Sequence, residues 1–131
     1  MIVIDASAVI ELVLRTEVGE KVEARVLAPE ERLNAPHVLD LETTQVLRRL
    51  VHLKEIPLAR AREALQDYAD LFIERSAHQP FLPRIWELRD SLTVYDGAYV
   101  SLAEALDVPL VTCDAKLARS HGHRAEIELI E

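Results

Sequence analysis

Four carboxylates fall where acids do chemistry in α/β proteins. Asp5 closes the apolar run Ile2-Val3-Ile4, and Asp114 closes Leu110-Val111-Thr112-Cys113. Runs of this β-branched kind are what buried strands of parallel sheets look like. Asp96 lies in the first turn of a helix that Thr93 is placed to cap. Glu42 lies near the start of an amphipathic stretch, just after the short segment Leu33-Asn34-Ala35. In open α/β sheets, ligands bind beyond the carboxyl ends of the strands, where the strand order switches. If the helices bearing Glu42 and Asp96 begin on that edge, all four acids converge.

Each acid also has a plain structural reading. Asp5 and Asp114 are suitable N-caps. Asp96 suits a capping box with Thr93 and the positive end of a helix dipole. Glu42 reads equally as a solvated helix residue, like its neighbour Asp40. Taken together, however, clustered carboxylates repel one another and raise each other's pKa. A hard divalent cation, Mg²⁺ or Mn²⁺, removes that penalty and prefers oxygen ligands. Ser7 and Thr112 are placed to orient a carboxylate or a coordinated water. Such a site suits phosphodiester hydrolysis, because it activates water and neutralises the scissile phosphate.

The elements that must position these acids alternate along the chain. Helices are expected over Ser7–Arg15, Glu17–Leu27, Val38–Leu53, Leu58–Phe72, Pro80–Leu88, Tyr95–Leu106 and Ala115–Arg119. Strands are expected over 2–4, 33–35 (an edge or a short inner strand), 72–77, 110–112 and 127–130. Tyr95, Ala98, Tyr99, Leu102, Ala103 and Leu106 follow the i, i+3, i+4, i+7 rule without a miss. Short apolar strands alternating with helices predict an α/β fold with a mostly parallel sheet and right-handed crossovers. No repeat, linker or low-complexity tract interrupts the chain, so one domain over 1–131 is expected.

Composition sets the outer limits. The 131 residues are 50% hydrophobic and 29% charged, which argues for a folded core and against disorder. Fifteen Lys and Arg against 23 Asp and Glu give a net charge of −8, which excludes a basic, sequence-blind nucleic-acid coat. One cysteine, Cys113, excludes an internal disulfide framework and a cysteine zinc finger. There is no basic n-region ahead of the N-terminal apolar run and no stretch of 18 apolar residues. A soluble cytoplasmic protein with no membrane span is expected.

With these motifs in order, the chain resembles PIN-domain proteins, and among them the VapC-type ribonuclease toxins of toxin–antitoxin pairs. The resemblance rests on Val3-Ile4-Asp5-Ala6-Ser7-Ala8 and on Glu42 after Pro36. It rests further on Leu92-Thr93-Val94-Tyr95-Asp96-Gly97-Ala98-Tyr99, continuing to Leu102-Ala103-Glu104, and on Leu110-Val111-Thr112-Cys113-Asp114. It covers nearly the whole chain. It implies a three-layer α/β/α PIN-like fold around a central parallel sheet of four or five strands. It implies a metal site of Asp5, Glu42, Asp96 and Asp114 and Mg²⁺- or Mn²⁺-dependent endonucleolytic cleavage of RNA. It also implies a homodimer and a cognate VapB-type antitoxin that blocks the site. Gly97 stands where such sequences often carry Ala. Gly in a first helical turn costs about 1 kcal/mol at most, so it does not argue for loss of function.

Other residues carry readings of their own. Arg48, Arg49, Lys54, Arg60 and Arg62, against the single acid Glu55, read as an RNA track, an antitoxin dock or a solvated face. Arg89 reads as a phosphate contact or a surface ion pair, and Lys116 as a further substrate contact. His121 and His123 form a loop pair without zinc spacing. Cys113 reads as an inert buried thiol. Trp86 and the apolar positions of 58–72 read as core or dimer interface. Two competing functions stay open: a phosphoacceptor domain, which would lack a second Asp two residues after Asp5, and a non-catalytic PIN-like binding protein.

Overall fold

The computed structural model describes residues 1–131. Five strands, β1 (Ile2–Ile4), β2 (Leu33–Pro36), β3 (Ile73–Ser76), β4 (Leu110–Thr112) and β5 (Ile127–Leu129), form one sheet in the order β3-β2-β1-β4-β5. Every neighbouring pair is parallel. The chain therefore steps outward from β1 through β2 to β3, then returns to the other side of β1. The switch in strand order lies between β1 and β4 and opens a crevice beyond their carboxyl ends.

Seven helices fill the connections: α1 (Ala6–Val13), α2 (Glu17–Val26), α3 (Val38–His52), α4 (Leu58–Asp70), α5 (Leu82–Glu87), α6 (Val94–Leu106) and α7 (Ala115–Ala118). Helices α1 to α4 pack on one another and α5 packs on α6, with both groups against the sheet, as a three-layer α/β/α sandwich requires. The caps follow from sequence. Asp5, Thr16 and Thr93 accept the backbone N–H of Ala8, Gly19 and Asp96 at the starts of α1, α2 and α6. Asp107, with φ +53° in the left-handed region, ends α6.

The core is one cluster of 25 buried apolar residues. All of β1 and β4 is buried. Helix α6 is buried continuously from Gly97 to Ala103, including Ser101. The sequence shows an amphipathic stripe there, whereas the structure encloses the helix all round, as its run of small residues permits. Gly97 rests on Ile85, whose Cγ2 lies 3.3 Å from where a Cβ would stand. Helix α2 crosses α1 so closely that a Cβ on Gly19 would stand 2.0 Å from the carbonyl oxygen of Glu11. Only glycine permits that approach.

Three expectations are corrected or refined. Leu33–Pro36 is an inner strand, wholly buried between β1 and β3, with the Asn34 amide donating to the Ile2 carbonyl at 3.2 Å. The helix expected over 80–88 is broken: a 3₁₀ turn, Gln79–Phe81, precedes α5. Pro80 and Pro83 lack the N–H groups a continuous α-helix would use. Trp86 is not in the core of the chain. It is 64% exposed, with the Arg89 guanidinium 4.8 Å above its ring.

Candidate active site

The register of β1 and β4 pairs Val3 with Leu110 and Ile4 with Val111. The next positions along the two strands are Asp5 and Thr112, at the carboxyl edge. Asp5 is nearly fully buried. Its Oδ1 accepts hydrogen bonds from Ser7 Oγ at 2.7 Å and the Ala8 N–H at 3.0 Å, and its Oδ2 accepts one from Thr112 Oγ1 at 2.6 Å. Both hydroxyls are turned toward the acid because backbone donors occupy their own oxygens. The Cys113 N–H donates to Ser7 Oγ at 2.9 Å, and the Asp114 N–H donates to Thr112 Oγ1 at 3.0 Å. Three of the four lone pairs of Asp5 are thus engaged, leaving one on Oδ2. A carboxylate so enclosed is a poor nucleophile for a phosphodonor, which counts against the phosphoacceptor reading.

The other acids come from three further elements. Glu42 sits in the second turn of α3, and its Oε1 accepts a 2.6 Å hydrogen bond from the Tyr99 hydroxyl on α6. Asp96 is half-buried in the first turn of α6. Asp114 caps α7, its Oδ1 accepting from the N–H groups of Lys116 at 2.8 Å and Leu117 at 3.4 Å. Asp5 and Asp114 are therefore caps, as their plain readings had it, and lie among the other acids as well.

Electrostatics tie the four together. Burial pushes the Asp5 carboxyl above its ordinary range despite its three donors, and the charge of Asp96 adds to the rise. Burial raises Glu42, and Asp96 and Asp5 raise it further. Burial and then Asp114 raise Asp96. None of the four takes part in an ion pair. Asp40, two residues before Glu42, shows the contrast: burial alone would raise it, but Arg75 and Tyr68 hold it below the ordinary value. Asp40 belongs to the scaffold, while Glu42 faces other acids with only a phenol to hold it.

The donor set is all oxygen, under-neutralised, and opens at the strand-order switch. That chemistry fits a hard divalent cation. No three His, Cys, Asp or Glu side chains stand close enough together to hold one ion between them. Magnesium sites of one or two carboxylates completed by waters and phosphate need no such cluster.

The remaining candidates are distributed around this centre. Arg89 is exposed, its Nη1 donating to the Trp86 carbonyl at 2.9 Å. Arg60 turns inward and donates to the Val13 carbonyl at 2.9 Å, so it leaves the basic face. Arg48, Arg49, Lys54 and Arg62 are exposed. Cys113 is half-buried, and burial raises its thiol to about 11, which keeps it protonated and inert. His123 binds Ser120 Oγ, and His121 is exposed. Tyr99 was legible only as a core position of α6. Its sequence signal, the i+3 spacing from Asp96, places it on the acid-bearing face.

The PIN domain family matches residues 2–121. Ribonuclease VapC12 of Mycobacterium tuberculosis H37Rv is 44% identical over 130 residues, covering 99% of both chains. Ribonuclease VapC1 of the same strain is 42% identical over 129 residues, covering 98% of this chain and 96% of the relative. The crystal structure of VapBC2 from Rickettsia felis bound to a promoter DNA fragment shares the fold, with a TM-score of 0.70 at 17% identity and full coverage of both chains. The chain belongs to the PIN-domain family, among the VapC ribonucleases.

Proposed function

We infer that this protein is an endoribonuclease that hydrolyses RNA phosphodiester bonds at the Asp5, Glu42, Asp96 and Asp114 cluster. Mg²⁺ or Mn²⁺ is its cofactor and a VapB-type antitoxin its partner. The reading is carried by the charge coupling of Asp5, Glu42 and Asp96 with one another, and of Asp114 with Asp96, at the strand-order switch, with no ion pair to any of the four. The ribonuclease names of its relatives support the reaction class. The VapBC complex with the same fold supports the antitoxin.

Asp5, Glu42, Asp96 and Asp114 would hold the cation, which supplies Lewis acidity toward water and phosphate oxygens. Ser7 and Thr112 fix Asp5 so that its single free lone pair points one way. Tyr99 holds one oxygen of Glu42 and leaves the other available. The local charge inverts when the site is loaded, which lets a chain of net charge −8 accept a polyanion. Exposed Leu41 and Phe72 support a homodimer, which sedimentation would test. No helix is long and apolar enough to cross a membrane, which is compatible with action in the cytoplasm.

Cleavage of labelled RNA by wild type, Asp5→Asn and Glu42→Gln is the test, in EDTA and after Mg²⁺ add-back. Wild type should cut only with metal. Each variant should lose at least about 100-fold in rate while keeping a cooperative melt. Cleavage that persists in EDTA, or in both variants, would overturn the reading.

A further inference from the structure

A cavity of about 460 Å³ opens beside the acid cluster, and Asp96 is part of its wall. Arg89, Lys116, Arg119 and His121 line it, with Asp90 as the only carboxylate besides Asp96. Asp96 therefore shares a cavity wall with three permanent cations in a chain whose net charge is −8.

Those cations enter no ion pair, although the charge of Lys116 is felt at Asp96. Arg15, Arg25, Arg60, Arg75, Arg84 and Arg124 are all consumed in ion pairs. Arg89, Lys116 and Arg119 enter none. Arg89 is nevertheless held in place, stacked on Trp86 and bonded through one N–H to the Trp86 carbonyl, so its other N–H groups remain free to donate. This accounts for an exposed tryptophan that the core does not use. Lys116 is fixed to the site through its backbone N–H, which donates to Asp114. Gly122, with φ +88°, brings the 120–123 loop against Ser91 on the far wall, where a Cβ would meet Ser91 Oγ at 3.0 Å.

We propose that this cavity is a phosphate subsite that grips an RNA phosphate flanking the scissile one through Arg89, Lys116 and Arg119. The proposal rests on the ribonuclease reading above. Mobile acids of a protein would satisfy single charges, but a fixed, stacked guanidinium with several free donors suits a phosphate's multiple oxygens. Trp86 is a positioning residue for Arg89.

The experiment uses full-length protein carrying Asp5→Asn, with Mg²⁺ and a fluorescein-labelled single-stranded RNA, across a range of salt concentrations. Adding Arg89→Ala, Lys116→Ala or Arg119→Ala should weaken binding about fivefold to tenfold at low salt. Each should also reduce the slope of log affinity against log salt by about 0.7. Arg32→Ala, at the opposite edge of the sheet, should do neither. Trp86 is the only tryptophan, so saturating RNA should change its emission in the parent protein and not in Arg89→Ala. Arg89→Lys should recover most of the salt slope, which a loss of fold would not allow. Three slopes equal to the parent's would overturn the subsite. So would slopes that stay unchanged while binding of an acidic antitoxin peptide weakens. RNA cleavage by Asp5→Asn would instead overturn the ribonuclease site itself, leaving the slopes to judge the subsite separately.

Discussion

The hydroxyl of Tyr99 donates a 2.6 Å hydrogen bond to Oε1 of Glu42. It joins α6 to α3 across 57 positions of sequence. Tyr99 is 1% exposed and its ring is locked in the core, so its oxygen is a fixed point. Glu42 is otherwise free to swing away from the like charges of Asp5 and Asp96.

Removing that one oxygen with Tyr99→Phe keeps the packing and loses the tether. Metal affinity and cleavage rate should each fall about 10-fold to 100-fold, the usual cost of losing an outer partner of a ligand. Stability should fall by about 1.5 to 3 kcal/mol, because a hydrogen bond to a charged acceptor is lost. Isothermal titration with Mn²⁺ and urea unfolding measure the two effects. Unchanged metal affinity would leave Tyr99 as packing only.

The raised carboxyls of Asp5, Glu42 and Asp96 make a pH prediction of definite sign. A carboxyl whose folded pKa lies above its unfolded value favours the fold at low pH. That contribution is complete below the unfolded value and disappears as pH rises through the folded one. In EDTA, Asp96→Asn should therefore melt higher than wild type at pH 8, with the gap closing toward pH 4. Mg²⁺ should raise the wild-type melting temperature at pH 8 and do little for the variant. Glu104 acts in the opposite sense. Its bond to Arg84 holds it below the ordinary value, so its contribution is present above the unfolded value and is lost as acid protonates it. A gap between wild type and Asp96→Asn that is constant across pH would contradict the electrostatic account.

Gly19→Ala separates packing from propensity. Alanine in a helix interior is favoured over glycine by about 1 kcal/mol. Here the added methyl would drive into the Glu11 carbonyl, and overpacking of this kind costs about 1 to 3 kcal/mol or more. Net destabilisation is expected in urea unfolding, and stabilisation would mean that α1 and α2 separate freely.

Much of the fold was legible because its signals are local. Ile2-Val3-Ile4 and Leu110-Val111-Thr112 announce buried strands, and Thr93 with Asp96 announces the start of α6. Where the sequence was ambiguous, the deciding contact lay elsewhere in the chain. The Leu33–Pro36 segment is too short and too polar to declare itself an inner strand. Its place follows from β1 and β3 closing on both sides. Trp86 looks like a core residue by type, and only its position beside Arg89 gives it a surface role. Arg60 looks like one more exposed cation until the Val13 carbonyl is seen to accept from it.

Sequence alone determined the residue types available for chemistry: acids at the ends of apolar strands and in first helical turns. The −8 net charge likewise required any polyanion to be met by local rather than global charge. Those properties are carried by neighbours in the chain, through strand propensity, capping and periodicity. Tertiary structure alone decided that β1 and β4 lie side by side, that Thr112 and Ser7 close on Asp5, and that Tyr99 reaches Glu42. It also decided that Arg89, Lys116 and Arg119 share one cavity with Asp96. The reason is that burial and Coulomb coupling depend on distance in space, and strand order sets those distances for residues as far apart in sequence as Asp5 and Thr112, 107 positions.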